Sequence, residues 1–458
     1  MRLYLVNPSN SLASISKIKE SRWKSLRTWK PLSLLVLAGL TPPEWDIVIV
    51  DENLNLPDYD AMPLPDLLGI TAFTSQANRA YEVAGHFRSL GVPVVMGGIH
   101  ASMCPEEALN YVDSVVTGEA ESIWQQVLDD ARNGRLRRHY EGGITELNNM
   151  PVARHDLLSD GYAFGAIQTT RGCPLNCIFC SVTAFNGNRY RQRSIMDVVS
   201  EFQLIREKYV LIVDDNLTGT SPEHTARSKD LFRAMIRADL RKQWVSQVTI
   251  NFADDEELLE LASKAGCKIV LIGFESPEAE GLIEVNKRFN LRKDRDFRAS
   301  VRRIQKHNIL VVGSFVIGLD IDKPGIGRHI AETAIKYGVD NLQVLFLTPL
   351  PGTRLMEQMT SDGLIVLDNF PDDWKYYTLT YPVARYKHLS MDEVIEEMIS
   401  SDRMFYSVRA IIGRAWSSLR QWRAPLLTLL GNIAFRRNLW LSCKEYDVFR
   451  QYCNDRHN

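Results

Sequence analysis

Cysteine is scarce in this chain. Seven among 458 residues are too few for the disulfide framework of a small secreted scaffold. Long apolar runs are missing too: APLLTLLGNIAF (424–435) is the nearest approach, well short of the roughly 20 residues that span a bilayer. The opening MRLYLVNPSN has one Arg and a short strand-like run, not the pattern of a signal peptide. A net charge of -2 gives no whole-chain attraction for nucleic acid. No internal repeat and no low-complexity segment stands out. The balance of 45% apolar and 24% charged residues is that of a globular protein, long enough for two to four domains. A cytoplasmic location is expected.

The cysteine that is present is concentrated. TTRGCPLNCIFCSV (169–182) places Cys173, Cys177 and Cys180 in a C-x3-C-x2-C array. In a reducing compartment such clustering reads as metal binding or catalysis, and thiolates select zinc or iron–sulfur clusters. A structural zinc site needs four ligands in paired spacing, yet no second pair stands near; His155 and His224 are the nearest histidines and are remote in sequence. A cluster bound by four cysteines also lacks its fourth ligand nearby. A 4Fe–4S cluster held by three cysteines leaves one iron open, and that iron can chelate a substrate or cofactor.

Short apolar strands alternate with amphipathic helices over the first 150 residues. The strand candidates are RLYLVN (2–7), DIVIVDE (46–52), DLLGITAF (66–73), PVVMGG (93–98) and DSVVTG (113–118). This alternation predicts a doubly wound parallel sheet over residues 1–143, with its ligand beyond the carboxyl ends of the strands. The small turns Thr74-Ser75 and Gly97-Gly98 would let a bulky group approach the backbone. A linker is expected at 144–165. A second alternating run gives six strands at 166–171, 210–216, 244–250, 268–276, 309–320 and 341–347, and predicts a partial (β/α)6 barrel over 166–365. One of its helices is expected at 254–266, with Asp254 as N-cap and Gly266 as its stop. The cysteines follow the first of these strands directly. A mostly helical region is predicted for 366–458, clearest at 392–422.

A C-x3-C-x-Phe-C array after the first strand of a partial barrel resembles the radical S-adenosylmethionine (SAM) superfamily. The resemblance implies that the open iron binds the amino and carboxylate groups of SAM and that Phe179 lies near the adenine. It also implies SAM contacts for Asp214 and Asp215 in VDDNLTG, at the amino group, where many members have a Gly-Gly-Glu turn instead. Glu275 and Ser276 in GFES match the pair at the ribose hydroxyls. GSFVIGLD, with Gly313 and Gly318, would offer backbone to the adenine. TPLPGT (348–353) resembles a turn of cobalamin-associated members.

The first domain resembles the cobalamin-binding domain of the methylase-type class, through PLSLLVLAGLTP (32–42), VIVDENL (48–54), TAFTS (71–75), VVMGGIHASMCPEEAL (94–109) and TGEAE (117–121). It lacks Asp-x-His-x-x-Gly, so a corrin would have no protein imidazole on its lower face. Thr74, Ser75, Gly97 and Gly98 would line the pocket for the nucleotide tail. His100 belongs to a GG-x-H pattern and reads as a turn or pocket residue, with cobalt ligation as the alternative. A vestigial domain without cobalamin also stays open.

The resemblance implies an enzyme that cleaves SAM to a 5′-deoxyadenosyl radical, fed by an external electron donor of flavodoxin or ferredoxin type, and that methylates an unactivated carbon of a small molecule. The alternatives are a cyclase like the anaerobic magnesium-protoporphyrin ester cyclase and a sensor or electron-transfer protein without turnover. RAWSSLRQWRAPLLTLLGNIAFRRNLW (414–440) interleaves Arg414, Arg420, Arg423, Arg436 and Arg437 with Trp416, Trp422 and Trp440. It reads either as two short helices at an anionic membrane surface serving a lipid-like substrate, broken at Pro425 and Gly431, or as a structural lid.

Overall fold

The computed structural model describes residues 1–10, 12, 30–148, 150–158, 161–291, 295–420 and 425–455. Strand alternation builds its first layer. In β1 (Arg2–Asn7), Leu3 and Leu5 join one buried cluster while Tyr4 and Val6 join another, as a period of two requires of a sheet covered on both faces. The helices Leu32–Leu40 and Trp124–Arg132 cover the first face, and Ala77–Ser89 covers the second. With β2 (Asp46–Asp51), β3 (Leu67–Thr71), β4 (Val94–Gly97), β5 (Ser114–Thr117) and β6 (His139–Glu141), β1 forms a parallel sheet in the order β2-β1-β3-β4-β5-β6. The order reverses at β1, which opens a crevice beyond the carboxyl ends. β6 was not anticipated, because three residues are too few to show a period.

The second sheet runs β7 (Phe164–Ile167), then β10, β11, β12, β13 and β14 in chain order, all parallel. These last five are Tyr209–Ile212, Gln243–Val248, Cys267–Glu275, Leu310–Ile317 and Asn341–Phe346. Between β7 and β10 lies a short antiparallel pair, β8 (Thr170–Arg171) and β9 (Arg191–Gln192). The chain is thus an N-terminal doubly wound domain followed by a (β/α)6 arc and a C-terminal helical region. The expected strand 166–171 is in fact divided. Asp214 takes the Thr169 amide at 2.6 Å, which turns the backbone out of the ladder between β7 and β8. The helix expected to be capped by Asp254 is capped by Asp255, whose carboxylate accepts from the Leu258 amide at 2.9 Å; Asp254 pairs with Arg295 instead.

The C-terminal region starts as an irregular segment around Trp374, Tyr376 and Tyr377 that reaches back to the first domain. Trp374 Nε1 donates to Glu107 at 2.9 Å and Asn78 donates to Pro371 O at 2.9 Å. The stretch 392–422 is divided into Met391–Phe405 and Val408–Arg420. Between them Tyr406 is buried, and its hydroxyl bonds both the amide and the carbonyl of Leu342 on β14, a contact that an unbroken helix could not place. Gly431 interrupts nothing: Pro425–Asp455 is one helix, with Pro425 in the first turn, where its missing N–H is harmless. Gly431 faces the side chain of Asn341, 3.4 Å from where a Cβ would stand. Trp422 and Arg423 lie outside the described residues, as do the side chains of Arg420 and Trp440. Among the described residues no helix is long and apolar enough to cross a membrane.

Burial pushes the carboxyl of Asp402, in the first of these helices, up to about 7, whereas an unfolded Asp titrates near about 4. Folding therefore takes up a proton between these values, and the contribution of Asp402 to stability falls as pH rises through that window. The stability of wild type relative to Asp402→Asn should fall between pH about 4 and about 7. Thermal unfolding of both proteins across this range checks it; parallel curves would contradict it.

Candidate functional site

The carboxyl ends of β7, β10 and β12 carry the polar groups. Asp214 and Asp215 follow β10. Asp214 is fully buried and consumed locally, accepting from Thr169 N, Thr169 Oγ1 and Thr170 Oγ1 at 2.6, 2.5 and 2.9 Å. Burial raises its carboxyl, against which these bonds pull down. It therefore anchors the exit of β7 rather than facing a ligand. Asp215 accepts from the Gly172 amide at 2.9 Å and borders a cavity, and burial pushes its carboxyl up to about 6. Gly172 has φ +85, and a Cβ there would stand 2.1 Å from Arg189 O. Only glycine fits where the β8–β9 hairpin closes on itself.

Cys173, Cys177 and Cys180 follow Gly172, all as free thiols, and Cys180 leads into the helix Ser181–Asn186. Burial pushes the Cys177 thiol up to about 12 and raises that of Cys173. Each of these two is within electrostatic reach of Cys180 and of Lys287. Among the described residues no group of His, Cys, Asp and Glu converges tightly enough for one metal ion. Three soft, mutually interacting thiols without a fourth ligand suit an iron–sulfur cluster. The loop is held from outside by Asn176: its carbonyl accepts from Asn286 and Arg354, both at 2.6 Å. Arg354 begins the helix capped by Thr353, the last residue of TPLPGT. That turn therefore braces the cysteine loop, and Leu355 N also donates to Ile178 O at 3.1 Å. Phe179 is half-buried beside the core.

At the end of β12, Glu275 takes a left-handed φ of +65 and pairs with Lys287, each side chain 9% exposed. Burial opposes the charge on Lys287, but Glu275 and Cys177 together hold its ammonium above the usual range. Sequence reasoning missed Lys287 and also Asn216, whose Nδ2 lies 4.0 Å from Cys173 Sγ; a lone Lys or Asn carries no spacing signal. Ser276 accepts from the Glu278 amide at 3.1 Å. Gly313 lies within β13 against Phe274 and Val339, and Gly318 lies under the Tyr386 ring.

A cavity of about 330 Å³ spans the two domains, bordered by Gly97 and Gly98 on one side and by Arg171 and Asp215 on the other, with apolar walls that include Leu37 and Trp124. No histidine borders it among the described residues. Gly98 has φ +88, and a Cβ there would meet Thr71 Oγ1 at 2.7 Å, so its glycine serves the fold itself. At Gly97 the same atom would be 3.7 Å from Val116 O. Thr74 and Ser75 begin a short 3-10 turn away from the cavity. His100 lies away from it too: it is fully buried, 2.8 Å from Tyr81 Oη and 3.3 Å from Glu107, edge-on to Trp374.

A cluster of ion pairs links the domains at the border of the cavity. Arg171 of β8 reaches Glu119 at 3.0 Å and Glu121 at 2.7 Å, both in the TGEAE turn of the first domain. Arg191 of β9 also pairs with Glu119, which accepts from the Thr145 amide at 2.8 Å as well. Burial opposes the charge of Glu119, but the Arg191 bond and nearby Arg171 hold its carboxyl below the usual range.

The Radical SAM superfamily model matches residues 167–325, and the B12 binding domain model matches residues 25–128. The chain is 30% identical over 445 residues to the bacteriochlorophyllide d C-8(2)-methyltransferase of Chlorobaculum tepidum, an alignment covering 91% of this chain and 94% of that protein. It is 26% identical over 349 residues to the hopanoid C-2 methylase of Rhodopseudomonas palustris, covering 74% and 66%. The fold is similar to that of the radical SAM methyltransferase TsrM from Kitasatospora setae with cobalamin and a 4Fe–4S cluster bound, with TM-score 0.67 and 18% identity over 96% and 99% of the two chains.

The Lys287–Glu275 pair gives a direct test of the site's construction. Removing one partner of a buried ion pair costs about 3–5 kcal/mol, so Lys287→Met should destabilise the cluster-free protein by that order. Adding Glu275→Gln should recover most of the loss. Urea unfolding of wild type, both single variants and the double variant measures the coupling; strictly additive losses would show the pair to be uncoupled.

Proposed function

The chain belongs to the radical SAM superfamily, among its methyltransferases that carry a B12-binding domain, and on that premise we propose how its residues divide the work and what it acts on. Cys173, Cys177 and Cys180 hold the cluster, and Lys287 sets a positive charge against their thiolates. Glu275, oriented by Lys287, receives the ribose hydroxyls of SAM, and Phe179 lies against its adenine. Asp215, the member of its pair that borders the cavity, receives the amino group. Gly97 and Gly98 would give the corrin and its tail an edge without side chains, in a cavity with apolar walls and no histidine among the described residues that border it. When bound, the cluster and SAM supply one-electron cleavage to a hydrogen-abstracting radical, and cobalamin supplies the methyl group. The Glu119–Arg171–Arg191 cluster ties the two domains together at the border of the cavity. The observation that carries this reading is that one cavity is bordered both by the glycine edge of the first domain and by the mouth of the barrel.

The enzyme needs an external one-electron donor; a flavodoxin or ferredoxin is the finer reading. The substrate is a small molecule, and we take it to be hydrophobic and lipid-like. The apolar walls and the bacteriochlorophyllide and hopanoid named for two relatives support that class. Contact with a membrane surface belongs to the same reading, since such a substrate concentrates there.

Anaerobic reconstitution with SAM and reductant tests the cluster. Wild type should release 5′-deoxyadenosine, while Cys173→Ala, Cys177→Ala or Cys180→Ala should lose both bound iron and this product. Cys104→Ala and Cys443→Ala should keep both. Full iron content in Cys177→Ala would overturn the assignment. With an extract of apolar metabolites, label from the SAM methyl group should pass into the organic phase.

Gly97→Leu tests the corrin edge, since its backbone admits a side chain and Gly98 does not. After incubation with hydroxocobalamin and gel filtration, wild type should carry corrin absorbance and Gly97→Leu should lose most of it, with unchanged circular dichroism. Absence of corrin from wild type would mean a vestigial domain.

A further inference from the structure

The helices Val408–Arg420 and Pro425–Asp455 pack side by side with polar groups in their seam. Ser418 Oγ lies 3.4 Å from Thr428 Oγ1, and Arg414 Nε donates to Asn432 Oδ1 at 2.9 Å; Ser418, Thr428 and Asn432 are buried. The outward side is apolar. Ile412, Trp416 and Leu419 on the first helix, and Leu426, Leu430 and Ile433 on the second, all stand exposed, Trp416 at 61% and Leu426 at 67%. Each set has the spacing i, i+4, i+7, so each is one stripe along its helix. A helix pair kept in water hides such stripes. This pair turns them out.

The surrounding charge has one sign. From Val408 to Cys443 the sequence holds six arginines and no Asp or Glu. Arg409 and Arg437 are exposed beside the apolar stripes. Arg298 and Arg302 border, together with Arg409, a groove of about 570 Å³. Among the described residues none of these four arginines has a carboxylate within ion-pair distance. The hairpin also has a definite place on the barrel. Asn432 donates to Asp340 O at 3.0 Å, next to the first residue of β14, while Tyr446 farther along the helix meets Phe346, the last residue of that strand. The exposed stripes therefore lie at the amino ends of the strands, opposite the cysteine loop.

We propose that this face docks the protein on an anionic membrane surface, with the hairpin lying in the interface. Arginine and Trp beside Leu and Ile are what an interfacial helix presents to lipid, and the unpaired arginines complement anionic headgroups. A second copy of the chain fits less well, because a two-fold pairing would set arginines of like charge against each other. The face is a tether and not a substrate entrance, since the barrel mouth looks away from it. This inference deepens the membrane contact of the proposed function by naming the face that makes it, and its test stands apart from methyl transfer because the face shares no residue with the cavity or the thiols.

Cosedimentation of the intact protein with vesicles tests it, using phosphatidylcholine and phosphatidylglycerol in equal parts, and phosphatidylcholine alone. Wild type should pellet with the anionic vesicles at low salt, release at high salt and stay in the supernatant with the neutral ones. Arg409→Gln and Arg437→Gln should each weaken binding about fivefold. A variant carrying Ile412→Ser, Trp416→Ser and Leu430→Ser should stay in the supernatant with unchanged circular dichroism, iron content and 5′-deoxyadenosine release. Wild type left in the supernatant at low salt, or equal pelleting of the triple-serine variant, overturns the proposal. A dimer in sedimentation velocity that the triple-serine variant converts to monomer also overturns it, and assigns the face to a second copy.

Discussion

A carboxylate buried without an arginine or lysine bonded to it, Asp214, decides where the chain leaves the first barrel strand. Its bonds come from the backbone and hydroxyl of Thr169 and the hydroxyl of Thr170, and a buried acceptor of this kind is costly to leave unmet. By stopping β7 at that point it creates the β8–β9 hairpin. One end of the hairpin carries Arg171 to Glu119 and Glu121 of the first domain, and its loop carries the three cysteines. The position of the thiols relative to the crevice of the first sheet follows from this one acceptor and its three donors.

The site is built by opposing tendencies. Burial raises the thiols of Cys173 and Cys177, which keeps them protonated until a metal replaces the proton. The same burial would drive the proton off Lys287, but the bonded Glu275 carboxylate holds it. Glu275 in turn sits in a left-handed conformation, a strained state that persists where neighbours determine it. Strand β12 thus ends in a carboxylate fixed in direction by a buried ammonium.

The two ends of the barrel serve different purposes. Its carboxyl ends meet the first domain through the cavity and the Glu119 cluster. Its amino ends meet the C-terminal hairpin, where Asn432 and Tyr406 seal the edge strand β14 through Asp340 and Leu342. An uncovered edge strand invites pairing with other chains, and the long helix Pro425–Asp455 covers it along its length. The apolar side of the hairpin is then free to face outward.

The sequence by itself determined the two strand–helix alternations, because strand and helix periods are local, and it determined the cysteine array, because three thiols within eight residues form a local pattern. It also marked Asp215 and Glu275 at the ends of strands. It could not separate Asp214 from Asp215, since adjacent residues on a strand end point to opposite sides and only the packed neighbour, Thr169, shows which is spent. It could not find Lys287, Asn216 or the Glu119–Arg171–Arg191 cluster, whose members meet across long stretches of chain. Asp254 as a cap and Gly431 as a break were plausible local signals that tertiary contacts overruled, through Arg295 in one case and Asn341 in the other. Thr74 and Ser75 follow one strand of the first sheet, and Gly97, Gly98 and His100 follow its neighbour, yet of these five only the two glycines reach the cavity, because the side of the sheet to which each turn folds is decided by packing and not by sequence proximity.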